Sequence, residues 1–239
     1  MIRTILFIII GLIVLILSFP FAVIIWLFSK KGNFDPVSKA GVFCVQKLAK
    51  IYCKLAGCDL EIIGAENIPK GAAVFAGNHQ GNFDTLIVQY ALGSPVITMA
   101  KKEAAYIPIA NIWMVIAHLI FVDRKNIKRA ANAYKTSLEY LRHGFPVLYF
   151  PEGTRSHGPQ MGSFKAGAFK AAVSEGVPLV PFAVDGTYHV YEETGHMVKS
   201  KVYLSVLPPI PVTKEDSPKE LSEKTKAAIQ SELDRLRQL

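Results

Sequence analysis

The chain has 239 residues, a length that suits one α/β core with an appendage and leaves two small domains as the alternative. Hydrophobic residues make up 51% and charged residues only 19%, so apolar sequence exceeds what a soluble domain usually holds. The net charge of +8 indicates an anionic partner: nucleic acid, a phospholipid surface or a phosphorylated substrate. The three cysteines exclude an even-numbered disulfide framework and contain no CxxC pair, so a reducing compartment is expected.

The first element is an uncharged apolar segment over residues 5–28. As one helix it would be about 36 Å long, enough for a hydrocarbon layer of about 30 Å. A cleaved signal peptide is the competing interpretation, but Lys30 and Lys31 follow the run where a cleavage site would need small residues. Pro20 divides the run and can kink it. We therefore expect a membrane anchor.

Residues 37–56 predict a second helix, which is amphipathic. Its polar side carries Lys39, Lys47, Lys50 and Lys54. The two helices could lie in one leaflet as a hairpin, or the first could span the membrane alone, and the sequence leaves both open. In either case, the lysines that follow the apolar run place the rest of the chain on the cytoplasmic side. We assign residues 1–57 to the anchor and residues 58–239 to an α/β domain.

Beyond the anchor, short β-branched runs alternate with helical patterns, which predicts a layered α/β domain with a mixed central sheet flanked by helices. The predicted strands are residues 60–63, 73–76, 96–100, 119–122, 147–150, 179–184 and 201–206. The predicted helices are residues 84–92, 127–143, 165–174 and one capped by Ser217. The inward face expected for helix 127–143 consists of Ile127, Ala131, Tyr134, Leu138 and Leu141. The inward face expected for the last helix consists of Leu221, Thr225, Ala228, Leu233 and Leu236.

The motif NHQGNFD occupies residues 78–84, between a predicted strand and a predicted helix, where α/β folds expose side chains to ligands. With His79 in the loop and Asp84 in the first helical turn, the carboxylate can fold back onto an imidazole nitrogen. Such a contact would orient a general base and support its imidazolium form. Because the sequence has neither a GxSxG elbow nor a compelling cysteine site, a bound hydroxyl is the expected nucleophile. The alternative is an exposed loop histidine and a plain helix cap.

A second motif, FPEGTRS, occupies residues 150–156 and again follows an apolar strand. Proline and glycine favour an irregular turn, Thr154 and backbone amides offer hydrogen bonds, and Arg155 can bind a phosphate through two donors. Glu152 has no obvious task in this arrangement. The alternative is that Glu152 and Arg155 form a surface ion pair of little energetic weight.

Two further segments are weaker signals. FVDR at residues 121–124 offers a second phosphate ligand in Arg124, although Asp123 and Arg124 could simply cap the next helix. VPLVP at residues 177–181 is an apolar strand bracketed by prolines, typical of a core or edge strand. Lys101, next to Lys102, follows another predicted strand. The remaining histidines lack the spacing of metal ligands, so metal binding has no positive support.

Taken in this order, the four segments resemble the motifs of the PlsC family of lysophospholipid acyltransferases, also called 1-acylglycerol-3-phosphate acyltransferases. The resemblance covers roughly residues 71–184. The segments similar to the family's HxxxxD, second, EGTR and fourth motifs are residues 78–84, 121–124, 150–156 and 177–181. One departure is Ala104 and Ala105, where the resemblance leads us to expect a bulky apolar residue, and this leaves the end of the acyl tunnel open.

The resemblance implies transfer of a fatty acyl group from acyl-carrier protein or acyl-CoA to the 2-hydroxyl of lysophosphatidate, which yields phosphatidate in phospholipid biosynthesis. It implies no metal and no tightly bound cofactor. His79 would be the general base and Asp84 its orienting partner. The acceptor site would be shaped by Glu152, Gly153, Thr154 and Arg155, and its phosphate would be bound by Arg155, Arg124 and Lys101.

The implied partners are therefore a phospholipid membrane, lysophosphatidate and a thioester, and the +8 charge needs no nucleic acid to account for it. We expect the catalytic domain on the cytoplasmic face of a bacterial inner membrane. The alternatives are an acyltransferase for another lysolipid, such as lyso-ornithine lipid or a lysophospholipid with a larger head group, a lipid hydrolase, and a non-catalytic protein that binds anionic lipid.

Overall fold

The computed structural model describes residues 1–29, 39–93, 96–123 and 125–239. Among these residues, seven strands form one mixed sheet in the order β1-β7-β6-β2-β5-β3-β4. The strands are β1 (Cys58–Ile63), β2 (Val74–Gly77), β3 (Ile97–Lys101), β4 (Ile120–Val122), β5 (Val147–Tyr149), β6 (Leu179–Asp185) and β7 (Ser200–Val206). Each predicted strand overlaps one of them, so the predicted layered α/β fold with a mixed sheet is confirmed.

The sheet is parallel through its centre and changes direction once. Strands β6, β2, β5, β3 and β4 all pair in parallel, whereas β7 pairs antiparallel with β6 and β1 runs parallel to β7. Strand β2 lies between β6 and β5, and all four of its residues are buried. Val74 and Ala76 pack into one apolar cluster and Phe75 into another, so the period-2 alternation of β2 joins the two cores.

The helices are α1 (Ile2–Ser29), α2 (Lys39–Ala56), α3 (Asp84–Ala91), α4 (Ala110–Ile116), α5 (Ile127–Arg142), α6 (Lys170–Glu175), α7 (Thr187–Val190) and α8 (Pro218–Leu236). The predicted second helix is confirmed from Lys39 onward, and residues 37 and 38 lie outside the described residues. The predicted helix 165–174 begins only at Lys170, because residues 166–168 form a 3-10 turn. The sequence did not predict α4 and α7, which are too short for a helical period to be visible.

The predicted inward face of α5 was wrong at two positions. Ile127 is 87% exposed and Ala131 is also exposed, whereas Ala133, Ser137 and Leu141 are buried. The error arose because Ser137 lies on the inward face, where its hydroxyl hydrogen-bonds Tyr149 Oη at 2.6 Å, and a count of apolar residues does not register a buried serine.

On α8, the inward position predicted for Ala228 belongs to Ile229, which is fully buried, while Ala228 remains partly exposed. The other four predicted residues are buried as expected, namely Leu221, Thr225, Leu233 and Leu236. Ser217 accepts a hydrogen bond from the backbone N–H of Glu220 at 3.4 Å, which confirms the predicted cap.

Helix α1 is long and apolar enough to cross a membrane, and only 11% of its most apolar window is buried. One side of it nevertheless contacts the rest of the chain along most of its length. Near its start, Thr4 Oγ1 accepts a hydrogen bond from the backbone N–H of Met197 at 2.8 Å. Farther along, Ser18 Oγ accepts one from Trp113 Nε1 of α4 at 3.1 Å, and Ala22 is buried in one cluster with Trp113 and Ile116. The part of α1 from Thr4 to Ala22 therefore lies against the same domain.

Two substitutions within α5 test the corrected face. Leu141→Ala removes a side chain that is 2% exposed, and we expect a loss of about 2–5 kcal/mol in the free energy of unfolding. Ile127→Ala, at an 87% exposed position, should change it by less than about 0.5 kcal/mol. Urea titration of both variants in detergent measures the difference. A larger loss for Ile127→Ala than for Leu141→Ala would contradict the observed orientation of α5.

Candidate active site

The loop that follows β2 is fixed to the sheet before it reaches His79. Asn78 Nδ2 donates to the carbonyl oxygen of Val184 at 2.7 Å, and the backbone N–H of Val184 donates to Asn78 Oδ1 at 2.8 Å. The side-chain amide of Asn78 thus pairs with the backbone of β6 in the way that a neighbouring strand would. Just before it, Gly77 lies so close to Phe182 that a Cβ atom would stand 2.3 Å from the ring, so only glycine fits.

Asp84 is fully buried at the first residue of α3, and its carboxylate points back into the loop. Oδ2 lies 2.6 Å from His79 Nδ1 and accepts hydrogen bonds from the backbone N–H groups of Gln80 (2.7 Å) and Gly81 (2.9 Å). The predicted contact between His79 and Asp84 is confirmed. The alternative of a plain helix cap is wrong, because this carboxylate binds the preceding loop and Phe83 stands at the cap position.

The ring of His79 is held in one orientation. Because the Asp84 carboxylate only accepts hydrogen bonds, Nδ1 carries the proton of the neutral imidazole. The ring stacks on Phe150 with centroids 4.0 Å apart and planes inclined by 16°. The side chain is 19% exposed, and Nε2 makes no hydrogen bond to any described residue. This leaves the Nε2 lone pair available to take a proton from a ligand.

Glu152 links the FPEGTRS turn, to which it belongs, to the NHQGNFD loop that carries His79. Its Oε1 accepts a hydrogen bond from the backbone N–H of His79 and its Oε2 one from that of Gly162, both at 2.8 Å. Burial raises the pKa of this carboxyl group, and the two N–H donors oppose that effect. The backbone N–H of Ser156 also donates to the carbonyl oxygen of His79 at 2.8 Å. The surface ion pair considered for Glu152 and Arg155 is wrong, since Glu152 is buried and both its oxygens bind backbone.

Arg155 lies beside the His79 loop and is partly exposed. Its Nη1 hydrogen-bonds Asn82 Oδ1 in the loop between His79 and Asp84, and the same nitrogen is 3.5 Å from Glu192 Oε1. Gly153 has φ 72°, in the left-handed region that favours glycine, so it turns the chain between Glu152 and Arg155. Thr154 is exposed in this turn. The proposed substrate contacts of these residues remain predictions.

The remaining predicted ligands follow β3 and β4. Lys102 Nζ donates to Asp123 Oδ2 at 2.9 Å, and this contact raises the pKa of Lys102 and lowers that of Asp123. Lys101 is exposed at the end of β3 and forms no ion pair within the described ranges. Arg124 lies outside the described residues. Asp123 does not cap α5, because the cap is Asn126.

Topology brings these segments together. Strands β2, β5, β3 and β4 are parallel neighbours, so their carboxyl ends lie along one edge of the sheet. The loop with His79 follows β2, the loop with Arg155 follows β5, and Lys101 ends β3. The sequence did not predict three features of the site: Glu192, Gly162 and the stacking role of Phe150. No local signal points to Glu192, whose partner Asn82 is 110 residues away in sequence.

A histidine base oriented by a buried carboxylate, beside an arginine on the next loop of a parallel sheet edge, is the arrangement of an enzyme that deprotonates a polar substrate group. The chain belongs to the acyltransferase family, whose sequence model matches residues 59–185. The resemblance inferred from the four motifs is thereby confirmed.

Individual relatives agree with this assignment. The chain is 35% identical over 143 residues to a 1-acyl-sn-glycerol-3-phosphate acyltransferase of Borreliella burgdorferi, covering 59% of this chain and 57% of that protein. It is 30% identical over 169 residues to the Escherichia coli protein of the same name, covering 68% of this chain and 67% of the relative.

The fold as a whole also has a solved counterpart. The crystal structure of the 1-acyl-sn-glycerophosphate (LPA) acyltransferase PlsC from Thermotoga maritima superimposes with a TM-score of 0.82 at 25% identity. The superposition covers 99% of this chain and 95% of that one, so it includes both N-terminal helices.

Glu152→Ala tests the junction between the two motifs. The backbone N–H groups of His79 and Gly162 would lose their acceptor, and we expect the free energy of unfolding to fall by about 1–3 kcal/mol. Urea titration measures the loss. Glu223→Ala, at an exposed position on α8, is the matched control and should stay within about 0.5 kcal/mol of wild type. A Glu152→Ala variant as stable as the control would contradict the structural role of this carboxylate.

Proposed function

We propose that this chain is a membrane-bound acyltransferase that moves a fatty acyl group from a thioester of acyl-carrier protein or CoA to the 2-hydroxyl of lysophosphatidate, which gives phosphatidate. The observation that carries the proposal is the 2.6 Å contact between His79 Nδ1 and a buried Asp84, which leaves Nε2 available as a base. The names of the Borreliella and Escherichia coli relatives support this acceptor.

In the proposed reaction, His79 Nε2 removes the proton of the acceptor hydroxyl as the oxygen attacks the thioester carbonyl carbon. The resulting imidazolium is stabilised by the Asp84 carboxylate through Nδ1–H. Collapse of the tetrahedral intermediate breaks the carbon–sulfur bond, and the imidazolium returns its proton to the thiolate. The acyl group thus passes directly between substrates, without a covalent enzyme intermediate and without a metal or bound cofactor.

Arg155 is the proposed ligand of the acceptor phosphate, because its partly exposed guanidinium lies beside the loop that bears His79. We also assign phosphate binding to Lys101 and Arg124. Of the two adjacent lysines, Lys101 is the better candidate, since Lys102 is already paired with Asp123. Glu152 would support the acceptor site indirectly by holding the backbone of His79.

The apolar, largely uncovered side of α1 supports the proposed membrane association, and the lysines of α2 favour the cytoplasmic face. Of the two anchor arrangements, the contacts favour a hairpin within one leaflet. A helix crossing the bilayer would carry one of its ends away from the domain, whereas Thr4, Ser18 and Ala22 of α1 all contact the domain, over about 27 Å of helix. A lipid acceptor would then reach the site from the leaflet in which α1 lies.

Loss of the base is the first test. His79→Ala should lower turnover by about 10²–10⁴, the usual contribution of a positioned general base. The measurement is the initial rate at which purified protein in mixed micelles converts labelled lysophosphatidate and acyl-CoA or acyl-acyl-carrier protein to phosphatidate. His196→Ala, outside the site, should retain wild-type turnover. Equal rates for the His79 variant and wild type would refute the role of His79.

The product of the wild-type reaction separates the alternatives. Phosphatidate is the expected product. Free fatty acid would indicate a hydrolase, and lysophosphatidate binding without thioester consumption would indicate a non-catalytic lipid-binding protein. Acylation of lyso-ornithine lipid or a larger lysophospholipid, with lysophosphatidate left unreacted, would move the proposal to another acceptor.

The proposed orientation predicts that a cysteine introduced near the C-terminus is protected in intact bacterial cells. Leu239→Cys places it at a 69% exposed position. A membrane-impermeant maleimide should label it only after lysis, and the wild-type chain, with its native cysteines, supplies the background. Labelling of intact cells above that background would place the domain on the outer side.

A further inference from the structure

A buried carboxylate, Glu192, lies beside the proposed acceptor site in the segment that follows α7, outside the four motifs. Its side chain is 3% exposed. Oε1 accepts a hydrogen bond from the backbone N–H of Asn82 at 2.7 Å and stands 3.5 Å from Arg155 Nη1. Oε2 packs against Gly81, where a Cβ atom would approach it to 2.7 Å. Glu192 therefore contacts the His79 loop and Arg155 together.

Both hydrogen bonds that Arg155 makes to described residues involve a single nitrogen of its guanidinium, Nη1. Nη1 is held by Asn82 Oδ1 and by Glu192 Oε1. Within the part of the chain that the structure describes, Nε and Nη2 make no hydrogen bond. A guanidinium has five N–H donors, and the edge formed by Nε and Nη2 matches two oxygens of a phosphate. Fixing Nη1 thus leaves the edge suited to bidentate phosphate binding unoccupied.

The burial of Glu192 indicates that this arrangement is not an incidental surface contact. A carboxylate removed from water is destabilised unless charge and hydrogen bonds offset the loss, and Arg155 is the cation within reach of Oε1 among the described residues. The adjacent Glu193 differs, since its side chain is 52% exposed and pairs with His189. Two neighbouring glutamates therefore serve different purposes.

We propose that Glu192 and Asn82 are positioning residues for the acceptor phosphate. By holding Nη1, Glu192 and Asn82 direct the Nε and Nη2 edge of Arg155 to the ligand. They also fix the distance between the guanidinium and His79, because Asn82 and His79 are on the same loop. This inference rests on the proposed function, because it assigns Arg155 a lysophosphatidate phosphate. Glu192 acts through Arg155 and does not touch the reacting atoms.

The test is a steady-state comparison of Glu192→Gln and Asn82→Ala with wild type, in which lysophosphatidate and the acyl thioester are varied separately. Glutamine keeps the volume of residue 192 and an oxygen for the Asn82 N–H, but it removes the charge that orients Nη1. We expect each variant to raise the KM for lysophosphatidate at least about fivefold, the effect of one net hydrogen bond, and to leave the KM for the thioester within about twofold.

A purely electrostatic role for Glu192 predicts the opposite change in the KM for lysophosphatidate when Glu192 is replaced by glutamine. If Glu192 merely offset the positive charge of Arg155, neutralising it would strengthen phosphate binding and lower the KM for lysophosphatidate. An unchanged or lowered KM in both variants would therefore overturn the proposal. Asn82 is exposed, so Asn82→Ala decides the question if Glu192→Gln fails to fold, as judged by thermal unfolding.

Measuring the effect of Glu192→Gln with and without Arg155 distinguishes a positioning role of Glu192 from a structural one. In an Arg155→Ala background, Glu192→Gln should cause no further rise in the KM for lysophosphatidate, whereas an effect that simply adds would assign Glu192 a structural role and overturn the proposal. Glu193→Gln is the matched control and should keep the wild-type KM. A wild-type chain that made no phosphatidate would contradict the proposed function itself, and with it this inference.

Discussion

The buried carboxylate of Asp84 is the group on which the site depends. It lies at the start of α3, where the helix dipole favours a negative charge, and Oδ2 binds the His79 ring and the backbone N–H groups of Gln80 and Gly81. A fully buried charge is stable only when donors offset its loss of water. Three donors from the loop that precedes the helix converge on Oδ2, whereas Oδ1 has no hydrogen-bond partner among the described residues. Burial of Asp84 therefore forces the loop to fold around it, and the orientation of the imidazole follows.

The parallel centre of the sheet supplies the rest of the site. Because β2 and β5 are neighbours that run in the same direction, the loops after them leave the sheet side by side. Glu152 then bonds the backbone of His79, and Arg155 reaches Asn82. The base and the proposed phosphate ligand are thus coupled through several bonds between two loops. A displacement of either loop would change the distance between them, which is why buried supporting groups matter here as much as exposed ones.

The same loop also contacts the helices proposed as the anchor. The ring of Phe83, next to Asp84, is buried and lies 6.0 Å from the ring of Phe7 in α1. Further along α1, Tyr52 of α2 donates its hydroxyl to the carbonyl oxygen of Gly11 at 2.6 Å. The helix that would enter the membrane therefore packs directly behind the loop with the base. Under the proposed function, in which the acceptor is a lipid, this packing would place the chemistry beside the bilayer surface.

Local information in the sequence was sufficient for the strands, for most of the helices and for the central contact. Runs of β-branched residues located all seven described strands, and the contact between His79 and Asp84 was predictable because both residues belong to one strand-to-helix loop. The ordered motifs also indicated the family. Each of these features depends on residues close together in the chain, where periodicity and turn chemistry act directly.

Only the tertiary structure decided the order of the strands, the partners of Glu152 and the presence of Glu192 beside Arg155. Glu192 is 110 residues from Asn82, and no local pattern encodes which distant carboxylate will be buried against a loop. The inward face of α5 escaped prediction for a related reason, since the hydroxyl of Tyr149 on a different element makes burial of Ser137 favourable. Hydrophobic pattern determines which segments form helices and strands, whereas the pairing of buried polar groups is settled only when distant segments meet.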